Sequence, residues 1–188
     1  MRRIFKEMRI PAGTVYVKNG KNKLLEKIYG FNMAAQHGPW VVIVDLDRSY
    51  DCPPEALRAW LPFPSSGMHF RIAVRSIESW IMADRQRMAR FLGVALSRVE
   101  ADPETLEYPK QYLVNLARRS RKRYIKDSMV PRPQSGREVG PGYTSKLIEF
   151  ITDSEEGWRL EIAAERSDSL KRSIETIARI RSGYFNNI

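Results

Sequence analysis

The chain has 188 residues, 43% of them hydrophobic and 29% charged, a balance that excludes a fibrous or disordered polypeptide and is long enough to bury one sizeable core. Its 32 Lys and Arg outnumber 22 Asp and Glu, for a formal charge of +10, and the surplus lies in residues 1–150, which hold 26 of the basic and 15 of the acidic side chains. The single cysteine, Cys52, excludes a disulfide framework and a cysteine-rich zinc site, and a basic body of this kind points to a polyanionic partner.

The opening residues Met1–Glu7 are charged with no apolar stretch behind them, and no apolar run reaches the roughly 20 residues of a membrane-spanning helix, so a cytoplasmic protein is expected. Thr14–Val17 is a β-branched and aromatic run stopped by Asn19-Gly20, and reads as a first strand. Residues 21–36 place Leu24, Leu25, Ile28, Phe31 and Ala35 near a 3.6-residue period and predict a helix that ends at Gly38-Pro39. Trp40–Val44 is continuously apolar, as in a strand covered on both faces of a parallel sheet. Pro53-Pro54 opens a short helix through Trp60, and Phe70–Arg75 predicts a third strand. A helix from about Ser76 ends at Gly93. Beyond it, residues 109–126, 143–152, 155–165 and 167–181 look helical, while the Pro- and Gly-containing segment 129–142 is a long loop. Alternation of strands and helices predicts an α/β fold, a parallel sheet of few strands sandwiched by helices. The expected organisation is an α/β core over residues 1–93 and a helical extension over 94–188 packed on it.

The stretch Val41–Asp47 carries the chemistry. Asp45 and Asp47 are two residues apart at the end of an apolar strand, so they point to the same side. Ligands of parallel α/β sheets sit beyond the carboxyl ends of the strands, and two like charges there call for a compensating cation. Hard carboxylate oxygens suit Mg²⁺ or Mn²⁺. Glu78 falls just past the carboxyl end of the third strand, where it either completes the acidic set or interacts with the helix N-terminus. Asp84, almost two turns on, reads as a solvated or ion-paired helix residue.

Val41–Asp47 resembles the DxD element of the Toprim fold, and Arg71–Asp84, with Glu78-Ser79-Trp80 and Ala83-Asp84, resembles a strand–helix segment of small bacterial Toprim-like proteins. The likeness covers residues 14–92. It implies a metal-dependent nuclease that hydrolyses phosphodiester bonds of DNA or RNA, with Asp45, Asp47 and Glu78 as catalytic and metal-binding residues. It also implies an association with bacterial defence or mobile-element loci and a partner ATPase. Toprim enzymes usually carry a glutamate at the end of the first strand, assigned general acid/base work or metal binding; here Lys18 stands there, positioned to contact phosphate instead. That substitution keeps open a catalytically degenerate subunit that binds nucleic acid or a partner ATPase. Val41–Ser49 is also similar to the nucleophile motif of haloacid-dehalogenase-type phosphatases, with Asp45 as nucleophile and Asp47 as acid/base, although that family's later paired aspartates have no counterpart.

The nucleic-acid contact is expected at residues 118–126, where six of nine side chains are basic: Arg118, Arg119, Arg121, Lys122, Arg123 and Lys126. On one continuous helix, Arg118, Arg121 and Lys122 share a face and Arg119, Arg123 and Lys126 form a second row. Arg137 in the Pro/Gly-rich loop extends the set. Gly140-Pro141-Gly142 allows a tight turn whose amides, at the start of a helix, are candidates for holding an anion. His37 and His69 are too few and too separated for a histidine zinc site, and no phosphate-loop or nucleophile-elbow motif occurs.

Overall fold

The computed structural model describes residues 2–17, 20–46, 48 and 50–185, so Lys18 and Asp47 lie outside the described residues. In chain order, α1 (Arg2–Glu7), α2 (Lys21–Leu25) and α3 (Ile28–Ala34) precede β1 (Trp40–Asp45). Then come α4 (Pro53–Trp60), β2 (Met68–Ala73), α5 (Ile77–Met82) and α6 (Arg85–Leu92). Two 3₁₀ turns lead to α7 (Pro109–Arg118), α8 (Arg123–Met129), α9 (Tyr143–Thr152), α10 (Leu160–Ala164) and α11 (Asp168–Phe185). The protein is mixed α/β. Its chain forms two units, residues 1–76 with 169–188, and residues 77–168. No helix among the described residues is long and apolar enough to cross a membrane.

The first unit is built on β1 and β2, which pair in parallel with Trp40 opposite Met68 and Asp45 opposite Ala73. The apolar run of β1 alternates more than its composition suggests. Val42 and Val44, with Met68, Phe70 and Ile72 of β2, enter a core shared with Ile28, Ala35, Ala56 and Leu61, while Val41, Ile43, His69 and Arg71 are half-buried on the opposite face. Parallel strands need a crossover connection, and α4 supplies it; prolines in its first turn cost no helical hydrogen bond. Thr14–Val17 is not a strand. It runs as irregular chain with Val15, Tyr16 and Val17 exposed, and the link to β1 is a ring contact: Tyr16 stacks on Trp40 at 5.8 Å between centroids and 13° between planes. A β-branched run becomes a strand only when an edge is offered to it and one face is buried, and neither happens here.

The second unit is helical, around buried Trp80, Met82, Met88, Leu92, Leu113, Ile125, Met129 and Phe150. Several expected helices are divided by a polar group that turns back onto the backbone. The helix expected from Ser76 to Leu92 is interrupted at Asp84, whose carboxylate accepts from the Arg87 amide at 3.4 Å and so caps α6. The helix expected over 109–126 breaks at buried Ser120, whose hydroxyl donates to the Leu92 carbonyl and accepts from the Lys122 amide at 2.9 Å. Residues 21–36 divide into α2 and α3, and of 155–165 only Leu160–Ala164 is helical.

The start of β1 depends on one close approach. The Trp40 amide donates to the Gly67 carbonyl at 2.8 Å, and a Cβ at Gly67 would run into the carbonyl oxygens of Ala35 and Gly38. Gly67→Ala is expected to lower unfolding free energy by about 1–3 kcal/mol in urea titration, whereas Gly13→Ala, which meets open space, stays within about 0.5 kcal/mol of wild type.

Candidate functional site

Asp45 is the last residue of β1. The ladder continues one step past it, through the Leu46 amide to the Ala73 carbonyl at 3.0 Å, and Leu46 is fully buried. Alternation then forces Asp45 to the face opposite Val44 and Leu46, where it is half-buried at the carboxyl edge of a parallel pair. This is the position expected of the first acid of the DxD pair. Nearby in the same unit, the Arg75 guanidinium donates to the Tyr50 carbonyl at 3.2 Å.

Glu78 belongs to the second unit, in the first turn of α5. It is buried, and its Oε1 accepts a hydrogen bond from the Tyr143 hydroxyl at 3.2 Å. Burial, the Glu78 charge and that hydrogen bond push the Tyr143 phenol well above its ordinary range, so it stays a neutral donor. Asp84 is not a solvated residue. It is fully buried, and Arg159 reaches it with its backbone amide at 3.0 Å, Nε at 2.9 Å and Nη2 at 2.8 Å. Among the described residues, no three His, Cys, Asp or Glu side chains converge as a metal-binding group.

Gly140 and Gly142 serve packing rather than anion capture. Their amides donate to the carbonyls of Met129 at 2.9 Å and Ser128 at 2.8 Å, and a Cβ on Gly140 would collide with that backbone. Both amides are engaged, and the turn aims Tyr143 at Glu78.

The basic run 118–126 is a corner between α7 and α8, not one helix, so the two expected rows of cations do not form. Arg118, Arg119, Arg121, Arg123 and Lys126 are exposed, as is Arg137 in its loop. Lys122 is half-buried: its Nζ donates to the Arg90 carbonyl at 2.8 Å, and its methylenes lie against Gly93. Gly93, at φ 67°, is the left-handed cap that ends α6. Arg123 pairs with Asp127 at 3.6 Å, an exposed pair of little energetic weight.

Two features of the first unit were not read as sites in the sequence. One is a cavity of about 580 Å³, walled by Tyr16, Phe31 and Trp40 together with Val41, Ile43 and Ile180. The other is a cationic cluster where β2 meets α11. His69 and Arg71 lie two apart on one face of β2; Arg172 and Arg179 lie seven apart on α11, with Thr176 between them. Strand spacing of two facing helical spacing of four and three is the only signal the sequence offered.

No protein-family model matches the chain, and no curated protein and no solved structure matches it.

Burial first, then the charges of Arg71 and Arg179, hold His69 below the ordinary imidazole range. Unfolded, the same side chain protonates near pH 6.5. The unfolded state therefore takes up more protons as pH falls below that value, so stability is complete above about pH 6.5 and declines beneath it. His69→Gln is expected to flatten that decline when urea unfolding is compared at pH 7 and pH 5.

Proposed function

We propose that the protein binds nucleic acid through the corner between α7 and α8. One observation carries this reading: five cations within nine residues, Arg118, Arg119, Arg121, Arg123 and Lys126, all project into solvent on a chain of net charge +10. Like charges gathered at this density repel, and a phosphate backbone relieves that repulsion while releasing its own counterions. Arg137 is exposed in the neighbouring sequence and adds to the same field. Such contacts position a backbone and carry little sequence information. The test is fluorescence anisotropy with labelled single- and double-stranded DNA and RNA over a salt series. In the triple variant Arg119→Ala, Arg121→Ala, Arg123→Ala, the slope of log K against log salt is expected to fall by about 2–3 units; an unchanged slope removes the corner from the interface.

A second reading, a nuclease dependent on Mg²⁺ or Mn²⁺, is favoured by the placement of Asp45 at the carboxyl edge of a parallel strand pair. The resemblance to Toprim enzymes assigns Asp47 and Glu78 to the same acidic set. A bound cation would supply Lewis-acid polarisation of a phosphoryl oxygen; Asp45 would hold it. Metal-dependent cleavage lost in Asp45→Ala supports this reading. Salt-sensitive binding without cleavage in Mg²⁺ or Mn²⁺ supports instead a non-catalytic subunit.

A further inference from the structure

The β2–α11 cluster lies in the first unit, apart in sequence from the basic corner, and its hydrogen bonding is incomplete in a specific way. Arg71 and Arg179 both donate through Nη2 to one atom, the Thr176 hydroxyl oxygen, the Arg179 bond being 3.3 Å. That hydroxyl is nearly fully buried, and its own proton goes to the Arg172 carbonyl at 2.9 Å. Two guanidinium groups thus share one neutral acceptor. Arg71 Nε is buried and has no hydrogen-bond partner among the described residues. Burial, then Arg179 and Arg172, make the charged form of Arg71 less favourable, and the charges acting on His69 are Arg71 and Arg179. Glu175, one turn before Arg179 on α11, makes no ion pair with it among the described residues. Arg71 is half-buried beside the exposed Arg179, and partly desolvating one positive charge next to another is unfavourable unless an anion completes the arrangement.

We propose that His69, Arg71 and Arg179 form an oxyanion site that takes a phosphoryl group, with Thr176 orienting the two arginines. Guanidinium forks match the oxygens of phosphate. His69, on the same strand face as Arg71, becomes a further donor when the anion arrives and restores its proton. The sources of such a group are a free phosphate or phosphomonoester and the backbone of a nucleic acid. The site is independent of the α7–α8 corner, so either assignment can fail alone.

The experiment follows the His69 imidazole by NMR through a pH titration, in inorganic phosphate and in chloride of equal ionic strength, alongside calorimetric binding of inorganic phosphate and of an oligonucleotide with and without a 5′-phosphate. Phosphate is expected to raise the His69 midpoint, and Arg179→Gln, an exposed position, to weaken binding about tenfold. Arg179→Lys recovers part of the loss. Binding of inorganic phosphate identifies a free phosphoryl ligand; binding of the oligonucleotide alone, weakened by Arg179→Gln but still present in the triple corner variant, identifies a nucleic-acid phosphate. An identical His69 titration in phosphate and chloride overturns the proposal, as does binding unaffected by Arg179→Gln.

Discussion

The parallel register of β1 on β2 is the constraint on which the first unit depends. A two-stranded sheet has little stability of its own and must be covered to persist. The pairing from Trp40–Met68 to Asp45–Ala73 fixes which side chains face which way, because a slip of one residue would exchange the two faces. In the observed register, Val42, Val44, Met68, Phe70 and Ile72 enter the apolar core. Everything polar on these strands is thereby assigned to the other face: Asp45 at its carboxyl edge, and His69 and Arg71 along β2. The side of the sheet on which the acidic edge and the cationic cluster stand is set by that register. Both follow from apolar residues choosing the opposite side.

Much of that was legible. Trp40–Asp45 is a strand because it is apolar and β-branched over six residues, and a proline pair marks the start of α4 wherever the sheet lies. What the sequence hid was tertiary. Residues 14–17 have strand composition, yet strand pairing requires a partner edge that no local pattern announces; Tyr16 finds a ring, Trp40, instead of a backbone. Ser120 and Asp84 look like tolerable helix residues on propensity. Each divides a helix because its side chain reaches a backbone group or cation far off in sequence, Leu92 for Ser120 and Arg159 for Asp84. Apolar periodicity reports one face of a helix and is silent about such polar ties. Of the candidate site, the place of Asp45 at the carboxyl end of an apolar strand was legible, while Lys18 and Asp47 fall outside the described residues.

The basic character of the chain resolves into two physically different populations. At the α7–α8 corner the cations are in water, where each costs little and attracts at long range, subject to salt. At β2–α11 Arg71 is half-buried, and the attraction it can offer is shorter in range and less screened, because desolvation has already been incurred in folding. A surface of the first kind acts through its field rather than through fixed donors. A cluster of the second kind has oriented donors: the Arg71 and Arg179 guanidinium groups both donate to the Thr176 hydroxyl, and planar guanidinium forks carry geometric as well as electrostatic preference. Net charge alone reports the sum and conceals this division.

The buried carboxylates of the second unit show why matching residue types by motif does not settle their roles. Asp84 and Glu78 are six apart; by sequence Glu78 is a candidate for the acidic set and Asp84 a solvated or ion-paired helix residue, and the ion pair is what forms. Asp84 is held by a bidentate guanidinium, a backbone amide and a helix cap, so its charge is matched and its lone pairs are satisfied. That arrangement is a tie between α10 and α6, and it leaves no oxygen of Asp84 in need of a further ligand. Glu78 has a phenol instead, and burial keeps that phenol neutral. A neutral donor orients a carboxylate without cancelling its charge. The two acids therefore differ in their partners: Asp84 has a countercharge in Arg159, while Glu78 accepts a hydrogen bond from the neutral Tyr143 phenol.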